Sequence, residues 1–126
     1  MPNLEYAGPV YGADKESFYA SIDLFIFPTR YRHEAEPLVV LEALAHGRPV
    51  IAFGRGCIPA LLAGGVGQAV PLEANFAATA VELFTRWIRD TSAFLAQGEL
   101  ARSRFAELKR KSQADIQVLF DRFNGG

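Results

Sequence analysis

EAEPLVVLEALAHGRPVIAF, residues 34–53, places three glutamates in and beside an otherwise apolar segment, with seven residues between Glu34 and Glu42. An ionised carboxylate only accepts hydrogen bonds, and a pair of sugar hydroxyls is a natural bidentate donor to it. Acidic side chains are rarely buried without such a partner. Either these three face water, or something that binds here needs them. The spacing alone leaves both readings open.

The surrounding elements decide where these groups point. DLFIFP (23–28) is a continuous apolar run closed by proline, the pattern of a strand buried on both faces. Residues 29–36 form a polar loop, and Pro37 suits the first turn of a helix, where its missing N–H costs nothing. That helix is predicted to run through Leu41 and Ala45 to a stop at Gly47. RPVIAF (48–53) is a second buried strand, followed by the turn GRGC, a short helix over 58–63 and a last strand, VGQAV, at 66–70. Upstream, LEYAG (4–8) is a short strand candidate, and residues 14–21 read as a helix with Phe18, Tyr19 and Ile22 toward the core.

This alternation predicts an α/β, partial Rossmann-like fold with a short parallel sheet of about four strands. From Ala74 onward the pattern is helical only. Phe76, Ala80, Leu83, Phe84, Trp87 and Ile88 form one apolar stripe. Asp90 to Ser92 and then Gly98 offer two interruptions, and Phe105, Leu108, Ile116, Leu119, Phe120 and Phe123 form a second stripe. The expected division is a nucleotide-sugar-binding unit over 1–73 and a helical C-terminal extension of the same domain over 74–126.

In parallel α/β sheets ligands bind beyond the carboxyl ends of the strands, where the loop 29–36 falls. The helix opening near Pro37 aims free N–H groups and a positive dipole end at that crevice, a place for phosphate. Pro37 has no N–H, so the donors would be the amides of Glu36, Leu38 and Val39. In a helix Glu42 neighbours Leu38, Val39, Ala45 and His46, which makes it a carboxylate on a largely apolar face. Such a glutamate could hold a ribose while Glu34 holds another hydroxyl-bearing group, and the crevice would suit a nucleotide-diphosphate sugar.

The wider segment resembles the signature of retaining glycosyltransferases of the two-Rossmann-domain (GT-B) type, in the family called glycosyltransferase family 4 or group 1. The matching residues are Glu34, Glu42-Ala43, Ala45-His46-Gly47-Arg48-Pro49-Val50-Ile51-Ala52 and Gly56-Cys57-Ile58-Pro59. GPVYG and DLFIFPT upstream are also similar to that family, so the likeness covers about residues 4–72. The resemblance implies a C-terminal, donor-binding domain whose donor is a UDP- or GDP-sugar, with no metal and no other cofactor. Glu34 would be the catalytic contact to the transferred sugar, and Glu42 would bind the ribose hydroxyls. Backbone from Ala35 through Glu36 and Leu38 to Val39 would approach the sugar and diphosphate. The loop containing Gly8 and Val10 would lie near the base. Stabilising the departing diphosphate would be the main catalytic task.

Three departures bear on this. Ala35-Glu36-Pro37 stands where many members have Gly-Phe-Gly, which brings in a third carboxylate and removes an amide donor. Ala60 stands where a glutamate is common. The family's arginine and lysine diphosphate clamp lies upstream of the strand resembling Leu4 to Gly8, so this sequence is expected to lack it, together with the acceptor-binding domain. Arg30, Arg32 and His33 are read as solvated loop residues. An N-terminal domain or partner chain is therefore expected to cover the sheet edge at DLFIFP, unless Leu4 to Gly8 moves in beside it. Two alternatives to an enzyme stay open: a non-catalytic nucleotide-sugar-binding or partner subunit of a split transferase, and an inactive truncated remnant.

The bulk properties agree with a folded domain. The 126 residues are 50% hydrophobic and 21% charged, with a net charge of −1 that gives no general attraction to nucleic acid. A single cysteine, Cys57, cannot form an internal disulfide and reads as a packed thiol. No signal peptide or membrane span is legible, so a cytoplasmic location is the expectation, and membrane association has no feature to support it. His46 is expected to cap the end of its helix, and the mixed run Arg102 to Lys111 to be a solvated helix face.

Overall fold

The computed structural model describes residues 4–6, 8, 10–28 and 38–124. Its elements are α1 (Ala13–Ser21), β1 (Phe25–Phe27), α2 (Leu38–Ala45), β2 (Val50–Phe53), α3 (Ile58–Leu61), β3 (Gln68–Val70), α4 (Phe76–Arg89) and α5 (Thr91–Asn124). The three strands pair in parallel in the order β1-β2-β3, with Ile26 opposite Ile51 and Ala52 opposite Ala69. The fold is thus α/β with a short parallel sheet and a helical C-terminal region, as expected, but with three strands among the described residues.

The fourth predicted strand is a correction. Leu4 to Tyr6 and Gly8 are not in a strand, and Tyr6 is 91% exposed. Gly8 has φ 71°, outside the extended region, and the segment finds no pairing partner among the described residues. A strand needs a neighbour's backbone as much as its own apolar side chains. Nor does this segment move in beside β1, whose pairing among the described residues is with β2, and Ile26 stays 49% exposed.

β2 is buried along its whole length and its side chains alternate between two cores. Val50 and Ala52 face a cluster with Tyr19, Val40, Ala43, Leu44, Ile58, Leu62, Val66 and Ala101. Ile51 and Phe53 face a second cluster with Val70 and Trp87, flanked by Phe76, Leu83 and Phe94. α1, α2, α3 and the middle of α5 thus cover one side of the sheet, and α4 with the first turn of α5 covers the other.

Helix ends follow local chemistry. α2 stops where the Gly47 N–H bonds to the Leu44 carbonyl at 2.9 Å and the Arg48 N–H to the Ala43 carbonyl at 2.9 Å, a Schellman closure with Gly47 at φ 71°. Asn75 caps α4 through the Ala78 N–H at 3.0 Å. Asp90 separates α4 from α5 and accepts from the Ala93 N–H at 3.1 Å, as the interruption at 90–92 predicts. The second predicted break is corrected: α5 runs unbroken through Gly98. A Cβ at Gly98 would lie 3.0 Å from the Gly47 carbonyl oxygen, so this glycine lets α5 pass close to the end of α2.

Candidate functional site

α1 and α2 lie alongside each other and point the same way. Lys15, in the first turn of α1, meets Glu42 of α2, while the Arg48 guanidinium just beyond α2 donates to the Tyr19 and Ala20 carbonyls at the end of α1, at 2.9 and 3.1 Å. Both helices therefore begin on the side of the sheet where the strands end, the side on which ligands bind in parallel α/β folds. The first-turn amides of α2, Leu38 and Val39 among them, have no acceptor within the helix.

Glu42 lies at the centre of this region. Its Oε1 accepts from Lys15 Nζ at 3.3 Å, and the two side chains are 30% and 44% exposed respectively. Among the described residues, its Oε2 is a buried side-chain oxygen with no hydrogen-bond partner. Leaving such an acceptor out of water and unbonded costs about 1–3 kcal/mol. Below it, the Tyr19 hydroxyl donates to the Val39 carbonyl at 3.2 Å. Burial first, then the Glu42 charge, then the approach of the hydroxyl itself to that carboxylate, hold the Tyr19 pKa far above the ordinary tyrosine value, so this hydroxyl stays protonated. The His46 ring stacks on Tyr19 with centroids 5.1 Å apart, and its Nδ1 lies 2.8 Å from the Glu42 carbonyl oxygen. A carbonyl can only accept, so Nδ1 carries the proton and His46 caps the helix end, as its position in the sequence suggests.

Gly8 and Val10 lie in the segment leading into α1, at the end of that helix which carries Lys15. Leu38 is exposed and Val39 half-buried at the start of α2. Glu34, Ala35, Glu36 and Pro37 lie outside the described residues, as do Arg30, Arg32 and His33. Cys57 is half-buried at the start of α3, where Ile58 anchors the Gly-x-Ile-Pro turn in the core.

Several polar residues in this fold were not legible from spacing. Lys15 is 27 positions from Glu42. The one sign of it is electrostatic, a lysine in the first turn of a helix, where the dipole disfavours a cation. Arg55, directly beyond β2, is the one buried charged residue among the described set, and it is engaged within the fold. The basic run Arg102 to Lys111 is also corrected in part. Arg104 donates to the Ala60 and Leu61 carbonyls at 2.6 and 3.1 Å and pairs with Glu107, so it ties α5 to the end of α3.

A helix-bounded carboxylate with one oxygen on a lysine and the other unbonded, at the ligand side of a parallel sheet, is equipped to receive hydroxyl groups. The family model described as Glycosyl transferases group 1 matches residues 1–86, the whole of the sheet and most of α4. The chain belongs to that family. No curated protein and no solved structure matches it. Among the described residues, no helix is long and apolar enough to cross a membrane.

Proposed function

We propose that the chain is the donor-binding unit of a retaining group 1 glycosyltransferase that takes a UDP- or GDP-sugar. The observation that carries this reading is Glu42, a carboxylate with an unsatisfied buried oxygen, held in a chain of this family at the ligand side of the sheet. Glu42 would accept the ribose hydroxyls, and the first-turn amides of α2 at Leu38 and Val39 would face the diphosphate. Glu34 would contact the transferred sugar, with the backbone of Ala35 and Glu36 beside it, and Gly8 and Val10 would line the base.

In the reaction, the bond between the anomeric carbon and the diphosphate oxygen breaks. A bond from that carbon to the acceptor oxygen forms on the same face, and the acceptor's proton passes to the departing diphosphate. The chain's part is to place the donor and steady the leaving group. The exposed Ile26 on the sheet's edge strand favours a setting in which an N-terminal domain or partner chain covers β1 and brings the acceptor site.

Titration calorimetry with a panel of UDP- and GDP-sugars tests the reading. Binding of at least one is expected. Binding without transfer, even when an N-terminal partner is added, would indicate a non-catalytic subunit, and no binding to any would indicate an inactive remnant.

A further inference from the structure

We propose that Lys15 is a second donor-binding residue, one that acts with Glu42 as a two-sided cradle for a vicinal diol. The inference rests on the reading of Glu42 as the ribose site. A carboxylate satisfies only the donor half of a diol, since each hydroxyl also carries lone pairs that want an N–H. Lys15 has three N–H groups, and one of them reaches Glu42 Oε1 at 3.3 Å. Two donors remain beside a carboxylate whose Oε2 has no partner among the described residues. One hydroxyl can donate to Oε1 and accept from Lys15 Nζ, and a turn of the Glu42 side chain that brings Oε2 out of its buried position lets the neighbouring hydroxyl donate to it.

Two further observations favour a ligand role over a helix-stabilising one. A cation in the first turn of α1 opposes the helix dipole, which Asp14 and Glu16 of the same turn already complement, so Lys15 does not serve to stabilise that helix end. The ammonium also offsets the negative charge that Glu42 would otherwise present to an anionic donor. Its side chain is nearly half exposed, on a stem of four rotatable bonds, and can shift to admit a diol while staying beside the carboxylate.

The test is calorimetry on the full chain with UDP and GDP and with their 2′-deoxy counterparts, comparing the unaltered protein with Lys15→Met, Lys15→Arg and Glu42→Ala. The unaltered protein should prefer the ribonucleotide. Lys15→Met should weaken ribonucleotide binding roughly tenfold and reduce that preference, because a charged hydrogen bond to one hydroxyl is lost. Lys15→Arg should restore most of both. If Lys15→Met binds as tightly as the unaltered chain, or more tightly, with the preference intact while Glu42→Ala abolishes binding, the lysine is not a ligand contact and the ribose site stands. If the unaltered chain binds none of the nucleotides, both this inference and the reading beneath it fall.

Discussion

The two sides of the sheet are built from the same strand and differ in what is set among their apolar residues. On the α4 side, Ile51, Phe53, Val70 and Trp87 pack with Phe76, Leu83 and Phe94, all hydrocarbon apart from the Trp87 indole N–H. On the α1–α2 side, the core around Val50 and Ala52 also takes in the Tyr19 hydroxyl, and Glu42, His46 and Arg48 lie along its rim. Burying polar groups is costly unless each finds a partner, and among the described residues one buried side-chain polar atom has none. The exception is Glu42 Oε2. The α4 side holds the sheet together, and the other side spends part of its packing on positioning a carboxylate.

The sharpest way to separate the two sides is Trp87→Ala. Trp87 is buried and packs on Phe94 with ring centroids 5.4 Å apart, so its loss should cost about 3–5 kcal/mol of stability in urea melts. Nucleotide affinity of the molecules that remain folded should not change. A drop in affinity would mean that the two sides are coupled through the sheet.

Tyr19→Phe probes the polar side more gently. Its lost hydrogen bond to Val39 should cost about 1 kcal/mol near neutral pH. The fold holds the Tyr19 pKa above its ordinary value of 10.0, so above that pH the unfolded chain gives up a proton that the folded chain keeps. Stability should therefore fall as the solution becomes more alkaline than about pH 10. In Tyr19→Phe that slope should be reduced; an unchanged slope would show that other groups cause it.

The smallest effect is expected from the far half of α5, where Ile116, Leu119 and Phe120 are exposed. Leu119→Ser should change stability by no more than about 0.5 kcal/mol. A larger loss would reveal that this stripe is covered in solution.

Much of the path from the opening glutamates to this arrangement could be read from local chemistry. Gly47 marked the end of α2 because a left-handed closure needs it, and Asp90 marked the start of α5 because a side-chain acceptor belongs there. Non-local events were not legible. Leu4 to Gly8 has strand-like side chains but no partner backbone among the described residues, and no local pattern reports a missing partner. Gly98 looked like a helix break and instead marks a close crossing with Gly47, 51 positions away in the chain. For the site, the type and setting of Glu42 pointed to hydroxyl recognition, while Lys15 emerged only when α1 and α2 were seen side by side. Glu34 and Glu36, which the sequence reading made part of the same cradle, lie outside the described residues.

The central claim is that Glu42 receives a donor ribose. Calorimetric titration of the unaltered chain and of Glu42→Ala with UDP- and GDP-sugars tests it most directly. The account expects one donor to bind the unaltered chain and its affinity to fall about a hundredfold or more in Glu42→Ala, with the fold intact by circular dichroism. A Glu42→Ala variant that binds the same donor with unchanged affinity would contradict it.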